Sequence, residues 1–191
     1  MIFLLKVLAL FVIGAIPFAK VAMLGTGIDI TKVGSKNPGF RNVARVASWW
    51  RAGVCLIGDV GKGYFALLLL SRTDDPAILV WSMGIAAVVG HCWSPFLGFN
   101  GGKGVATTFG VLLKLQPWIT LPCLLLYPLL RFIGSKLKLK QEGAIASLST
   151  ATAISVLVVA LRGPELGVLA FVMLAIILVR HTTNLREMFS Y

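Results

Sequence analysis

Apolar residues in this chain come in blocks of about twenty, the length an α-helix needs to cross the hydrocarbon of a bilayer. The blocks run approximately over 2–24, 47–70, 77–97, 105–116, 117–134, 144–161 and 165–180, and they predict seven transmembrane helices. The expected fold class is therefore an all-α polytopic membrane protein, with residues 1–191 forming a single domain. The fourth block is short for a crossing, and Pro117 interrupts what would otherwise be one long segment. The first block lacks a basic leading region and runs past twenty residues, so it is expected to be a retained span and not a cleaved signal peptide.

Charge settles the expected topology. The chain is 58% hydrophobic and 13% charged, with 18 Lys and Arg against 7 Asp and Glu, a net charge of +11. In a membrane protein this balance favours the anionic cytoplasmic leaflet and anionic substrates before nucleic acid, for which no aromatic-basic motif is present. Lys20, Lys32, Lys36, Arg41, Arg45, Arg51, Lys103, Arg131, Lys136, Lys138, Lys140, Arg180 and Arg186 gather on one side. Only Arg72, Lys114 and Arg162 lie on the other, while Lys6 and Lys62 fall within spans. Excess Lys and Arg marks cytoplasmic loops. Since the 98–104 and 131–143 loops both carry that mark, an even number of crossings separates them, and the blocks between count as two helices. The N-terminus is then outside and the C-terminus cytoplasmic. The stretch from Lys136 to Gly143 alternates Lys with Leu, and suits either a segment lying along the headgroups or a solvated basic loop.

All three polar stretches with unusual composition fall on the cytoplasmic side. The central one, Gly98 to Thr107, reads Gly-Phe-Asn-Gly-Gly-Lys-Gly-Val-Ala-Thr. Glycine lets backbone N–H groups approach a ligand, lysine supplies a point charge, and the helix resuming near Val105 turns its positive end to the same spot, so phosphate fits. A plain turn between helices would also contain these glycines, and the P-loop spacing is absent. The first loop, Asp29 to Arg45, combines the turn formers Gly34, Ser35, Asn37, Gly39 and Asn42 with Lys32, Lys36, Arg41 and Arg45. That set can bind phosphate through fixed donors and Arg forks, though a merely basic inner loop has a similar composition.

Within the second span, Asp59 and Lys62 are three residues apart on one helix face. Ionisable residues in a bilayer are costly and turn toward a bundle interior, so the pair is expected either to support the inner loops or to fix helix packing. His91 ends the third span. His181 and Asn184 share a face of the C-terminal tail if its turn continues. No His-x4-Asp arrangement occurs, since His91 reaches Phe96 and His181 reaches Arg186. There is no Gly-x-Ser-x-Gly elbow, no HExxH and no carboxylate cluster for a metal. Cys55, Cys92 and Cys123 lie singly in apolar segments, which indicates neither disulfides nor zinc. Neither a metal nor another cofactor is expected. A site of Gly, Lys, Arg, Ser and Asn can bind anions and stabilise charge, but it has no evident base, so its reaction should bring its own good leaving group.

Gly-Ser-Lys-Asn-Pro-Gly-Phe-Arg-Asn at 34–42 with Arg45 resembles the first motif of the bacterial acyl-phosphate-dependent glycerol-3-phosphate acyltransferases, the PlsY family. Asp59 to Gly63 resembles its Asp-x-x-Lys-Gly element. Gly90-His91 with Phe99 to Thr107 resembles its second motif, and His181-x-x-Asn184 its third. The resemblance implies a seven-helix, monomeric enzyme of the bacterial inner membrane. Such an enzyme transfers a fatty acyl group from acyl phosphate to the 1-hydroxyl of glycerol 3-phosphate, giving lysophosphatidate and phosphate. Ser35, Asn37, Asn42 and Arg45 with Lys103 would hold phosphates, helped by Gly34, Gly39, Thr107 and the Gly101, Gly102 and Gly104 backbone. His181 and Asn184 would orient glycerol 3-phosphate, with Asp59, Lys62, His91 and Ser147 in support. The acyl chain would lie in a groove between helices, open to lipid.

Several positions depart from that family's pattern. Lys36 replaces a usual Gly, Phe40-Arg41 replaces Ala-Thr, Asn100 stands where Lys is common, and the proline after His91 comes one place late. Arg186 follows Asn184 by two residues instead of three, with Glu187 next. Ala144 replaces a serine, while Ser147 is kept. The competing function for basic loops and buried charges is transport of phosphate or a phosphorylated metabolite. A transporter site is expected near the midplane between repeats, and the sequence has no internal repeat. A noncatalytic assembly protein is the third possibility.

Overall fold

The structure is a computed structural model that describes residues 1–189, and among these all regular structure is helical. Five stretches are long and apolar enough to span a bilayer: Ile2–Ala22, Trp49–Leu70, Ala77–Leu97, Pro117–Lys136 and Glu142–Arg162. A sixth is made by Pro164–Arg180 and Thr182–Met188 together, bent by 63° at His181, and Val105–Leu115 is too short to span. The expected blocks and these helices coincide to within a few residues. Large apolar side chains such as Ile57, Leu69 and Trp118 stand exposed on the helices, where hydrocarbon is the fitting solvent. The protein is a multi-pass membrane protein.

The chain divides into two compact units, Met1–Lys114 and a second that begins at Leu115. In the first, α1 (Ile2–Ala15) ends before Pro17, which has no N–H to continue the ladder, and α2 (Phe18–Ala22) completes the stretch. A long loop follows, with α3 (Phe40–Val46) inside it, then α4 (Trp49–Leu70) and α5 (Ala77–Cys92). A 3-10 turn at Pro95–Leu97 leads to α6 (Val105–Leu115). Small residues let backbones touch. A Cβ on Gly14 would sit 2.1 Å from the Ala87 carbonyl, and one on Gly90 2.1 Å from the Phe11 carbonyl, so α1 and α5 are in direct contact. Gly110 meets the Val60 carbonyl in the same way and brings α6 onto α4. Lys6 of α1 pairs with Asp75 in the 71–76 turn, which places the start of α1 and that turn at one end of the unit.

The loop that carries α3 folds onto the start of α4 through a core of Ala19, Met23, Ile30, Val43, Ala52 and Cys55. Arg51 Nη1 donates to the carbonyls of Ala22 at 2.6 Å and Leu24 at 2.9 Å, tying the end of α2 to the first turn of α4.

In the second unit, α7 (Pro117–Leu124) and α8 (Leu126–Lys136) form one stretch interrupted at Leu125, just after Pro122 inside α7. α9 (Glu142–Arg162), α10 (Pro164–Arg180) and α11 (Thr182–Phe189) follow. Gly134 receives Glu142, and Gly167 receives Val159. The Lys136–Gly143 stretch, expected either along the headgroups or as a solvated basic loop, is a tight turn in which residues 136–140 are all exposed. Lys138 and Gln141 have positive φ there, and α9 starts at Glu142.

Candidate active site

Three groups of sequence-nominated residues are each brought together. The first is the loop before α3. Gly34 has φ +59, and a Cβ there would lie 2.2 Å from Asn42 Oδ1, so glycine is required both by the backbone and by its neighbour. Asn42 is 1% exposed. Its Oδ1 accepts from Ser35 N at 2.9 Å, and its Nδ2 donates to the carbonyls of Ile30 at 3.2 Å and Val33 at 3.0 Å. Both amide hydrogens are therefore engaged inside the loop. Asn42 was expected to touch phosphate, but its geometry makes it the brace that holds Ser35 in place. Ser35 itself is exposed, as is Arg45 in the last turn of α3. Asn37 and Gly39 form the turn that starts α3, Gly39 N donating to Asn37 O at 3.0 Å. Lys36, at the family's usual glycine, has φ +57, the conformation in which glycine avoids strain. The loop opens on Asp29, whose Oδ1 accepts from the Thr31 hydroxyl at 2.7 Å and its N–H at 3.1 Å. These bonds, the hydroxyl first, hold that carboxyl below the usual range.

Replacing Asn42 with alanine strands the Ser35 amide and two carbonyls. The expected cost is roughly 2–3 kcal/mol, read as a fall of about 4–12 °C in the thermal midpoint of the purified protein. An unchanged midpoint would mean that the loop is held by something else.

The second group centres on Asp59. Lys62 Nζ lies 2.8 Å from Asp59 Oδ1, and His91 Nδ1 is 3.4 Å from the same oxygen. Lys62 also donates to the Ile16 carbonyl at 2.8 Å, which accepts from Phe18 N as well, and the Cys55 thiol lies 3.6 Å from Asp59 Oδ2. All of these side chains are buried. The glycine loop is docked on this cluster. Gly101 N and Gly102 N each donate at 3.1 Å, to Cys92 O and His91 O respectively, so these amides cap the end of α5. A Cβ on Gly101 would lie 2.0 Å from the His91 carbonyl, and one on Gly102 2.2 Å from His91 Nε2. These two glycines were expected to cradle phosphate with their amides. Their amides go to the end of α5 and their missing side chains fit the loop against His91, and the donors next along are those of Val105 to Thr107, in the first turn of α6, where helical amides lack intrahelical partners. Gly104, at φ +82, starts that turn. The Thr107 hydroxyl is fully buried with no hydrogen-bond partner among the described residues. Lys103 is half-buried.

Asp59 is the eleventh of the 22 residues of α4, so the loop pinned to it through His91 stands level with the middle of that helix. The eleven residues of α6 extend about 16 Å, roughly half the hydrocarbon thickness. That matches the part of α4 that runs on from Asp59 to Leu70. On the outer surface of α4 and α6, Leu56, Val60, Gly61, Tyr64, Phe65 and Leu113 line a wholly apolar groove of about 420 Å³.

The third group is in the second unit. His181 is buried at the bend between α10 and α11, and its Nδ1 donates to the Ile177 carbonyl at 2.8 Å. Leu185 N bonds His181 O at 2.9 Å, so the turn does continue from His181 toward Asn184. Asn184 Nδ2 donates to Gln141 Oε1 at 2.6 Å, and Gln141 Nε2 donates to Glu187. Gln141 was not nominated from sequence, because nothing local marks a contact across 43 residues. Ser147 bonds its own helix, donating to Gly143 O and Ala144 O, each at 3.0 Å. Among the described residues no cluster of His, Cys, Asp or Glu could hold a metal.

Comparison with known proteins follows the same outline. A family model described as glycerol-3-phosphate acyltransferase matches residues 4–191. A glycerol-3-phosphate acyltransferase of Neisseria gonorrhoeae (strain NCCP11945) is 35% identical over 181 residues, covering 92% of this chain and 88% of that one. One from Aromatoleum aromaticum (strain DSM 19018 / LMG 30748 / EbN1) is 34% identical over 189 residues, covering 98% and 93%. The crystal structure of PlsY, an integral membrane glycerol 3-phosphate acyltransferase, in its glycerol 3-phosphate form superposes with a TM-score of 0.84 at 28% identity, covering 97% of this chain and 90% of that one. Its lysophosphatidic acid form gives 0.84 at 27% identity.

Proposed function

This chain belongs to the glycerol-3-phosphate acyltransferase family, and on that footing we propose that it transfers a fatty acyl group from acyl phosphate to the 1-hydroxyl of glycerol 3-phosphate. The products are lysophosphatidate and inorganic phosphate. The hydroxyl oxygen forms an ester bond to the acyl carbon, the bond from that carbon to the phosphate oxygen breaks, and the hydroxyl proton passes to a phosphate oxygen. An acyl phosphate carries its own leaving group, which fits a site of cations, amides and hydroxyls without a His-Asp base.

The observation that carries this function is the fixed setting of the Gly101–Gly104 loop, clamped at His91 and opening onto the first turn of α6 with Lys103 beside it. In that turn the amides, the helix dipole and the buried Thr107 hydroxyl favour a phosphate. Ser35 and Arg45 supply further phosphate contacts, with Gly34, Asn37, Gly39 and Asn42 shaping their loop. Asp59, Lys62 and His91 support the glycine loop, and Ser147 steadies the start of α9. His181 and Asn184 orient glycerol 3-phosphate. The apolar groove beside Gly61 takes the acyl chain from the lipid side.

The proposed topology has seven crossings, α6 making the fourth from its mid-depth start, with the N-terminus outside and the chemistry at the cytoplasmic face of the bacterial inner membrane. The basic loops support it. A family model running across both compact units supports one catalytic domain, and we propose that it acts as a monomer.

Purified protein given glycerol 3-phosphate and an acyl phosphate is expected to form lysophosphatidate without acyl-CoA or acyl carrier protein. No product from a well-folded preparation would overturn the assignment. Vesicle uptake of labelled glycerol 3-phosphate with no acyl donor would favour a transporter instead.

A further inference from the structure

Glycine is the poorest helix former after proline, so a glycine in the interior of α4 needs a reason. Gly58 and Gly63 have one. A Cβ on the first would lie 2.1 Å from the Phe18 ring, and a Cβ on the second 2.5 Å from the Thr107 carbonyl. Gly61 has no such neighbour and no positive φ. A Cβ there would meet nothing nearer than the Phe65 ring at 3.5 Å, an ordinary contact, so the helix has space for a side chain at this position. That side chain would stand in the apolar groove that Gly61 lines. What its absence provides is room in the groove.

The groove lies on the same two helices as the proposed phosphate site. The Thr107 carbonyl rests on Gly63, and a Cβ on Gly110 would lie 2.0 Å from the Val60 carbonyl, so the first half of α6 is pressed onto the middle of α4. The amides of Val105 to Thr107 open α6, and Leu113, on the groove wall, follows about two turns later. Along α4 the groove extends from Leu56 to Phe65, about 14 Å, the length of roughly ten extended methylenes. Gly61 stands near the middle of that length. Phe65 stands at its end, edge-on to Tyr64 with ring centroids 5.2 Å apart and planes at 84°. A wholly apolar wall suits hydrocarbon, and its continuity with the first turn of α6 points to the hydrocarbon attached to a phosphate held there.

We propose that Gly61 is a specificity-determining residue for the acyl donor: by leaving the groove open across its middle, it lets the tail of a long acyl chain lie along α4 as far as Phe65. This rests on the acyl-phosphate reaction, and on the place of the groove in it, proposed above. A chain of a bilayer lipid would fit the same groove, but the length of the donor would then not register there.

The values of kcat/KM for hexadecanoyl phosphate and decanoyl phosphate, each measured with glycerol 3-phosphate in excess, test it. Gly61→Leu fills the groove at its middle, so that a long tail must turn out of it and a short one need not. The ratio of long-chain to short-chain kcat/KM is expected to fall about tenfold from the parent's, the least weight that an apolar pocket gives to a chain that no longer fits. Gly61→Ala adds one methyl where a Cβ is accepted. It should move the ratio the same way by a smaller factor, and it carries the test where the leucine variant does not fold. Gly53→Leu is the control, since a Cβ at Gly53 meets nothing within 4 Å and the residue lies in the second turn of α4, outside the groove. Its ratio should equal the parent's. An unchanged ratio in the folded Gly61 variants would overturn the proposal, and is the result expected if a bilayer lipid fills the groove. A fall as large in Gly53→Leu would overturn it as well, by tracing the effect to α4 as a whole. A parent that uses neither acyl phosphate defeats the proposed reaction itself, and this inference with it.

Discussion

Replacing Asp59 with alanine is expected to lower the thermal midpoint of the purified protein by roughly 6–20 °C. Among the described residues, the change leaves Lys62, whose side chain is 2% exposed, with the Ile16 carbonyl as its close bond, and takes from His91 the carboxylate that orients it. Breaking a buried pair from one side costs about 3–5 kcal/mol, because a charge remains without compensation. For a chain of this size that converts to roughly 6–20 °C. The companion variant separates the charge from the clamp. Asp59→Leu with Lys62→Met removes both charges and keeps volume, so most of the midpoint should return. Turnover should not return with it, since His91 would still lack its partner and the glycine loop its support. Recovery of both stability and activity would show that the pair does no more than pack α4. A midpoint drop under about 2 °C for the single alanine would show that these charges are not buried together at all.

The same cluster shows how far the sequence could be read. Asp59 and Lys62 are legible as a pair because three residues on a helix put two side chains on one face, and the bilayer makes an unpaired charge there too costly. Their third member was not. His91 joins them only because Gly14 and Gly90 draw α1 and α5 together and α5 packs on α4, contacts that no local spacing encodes. The glycines of the central loop were legible as positions that must be glycine, while the reason was not. A close approach to phosphate and a close approach to His91 demand the same missing Cβ, and only coordinates tell the two apart. Asn42 is a similar case, since an asparagine among turn formers can face a ligand or its own loop with equal propensity.

The starts of three blocks were read well because a local cause sets each, Pro76, Pro117 and Pro164, whereas the breaks at Pro17 and Leu125 inside expected blocks were not read. The short fourth block looked anomalous because length alone assumes that every helix starts at a membrane face. The loop before α6 is instead pinned level with the middle of α4, so the length of α6 follows from where it begins. Gln141 lies at the opposite extreme of legibility. Its left-handed backbone and its bond to Asn184 both arise from how the turn before α9 meets α11, and glutamine in a lysine-rich turn signals neither.

Lys103→Ala is expected to reduce turnover by about a thousandfold while leaving the thermal midpoint close to that of the parent. The lysine is half-buried beside the first turn of α6, and the proposed chemistry puts the largest change in charge on phosphate oxygens there. Removing one preorganised donor to such charge typically costs about 10²–10³ in turnover. A phosphate carrying two negative charges belongs at the upper end, because a half-buried donor acts on it with less screening than one in open water. Lys103→Arg should recover part of the loss, since it keeps the charge but replaces a compact ammonium with a planar fork that the glycine loop was not shaped to receive. Arg162→Ala provides the control. It removes one positive charge from an exposed position at the end of α9, so an equal loss there would trace the effect to net charge and not to a contact. If Lys103→Ala retained more than about a tenth of the parent's turnover, the phosphate would have to be held mainly by the Ser35 and Arg45 loop, and the clamped glycine loop would be a packing device.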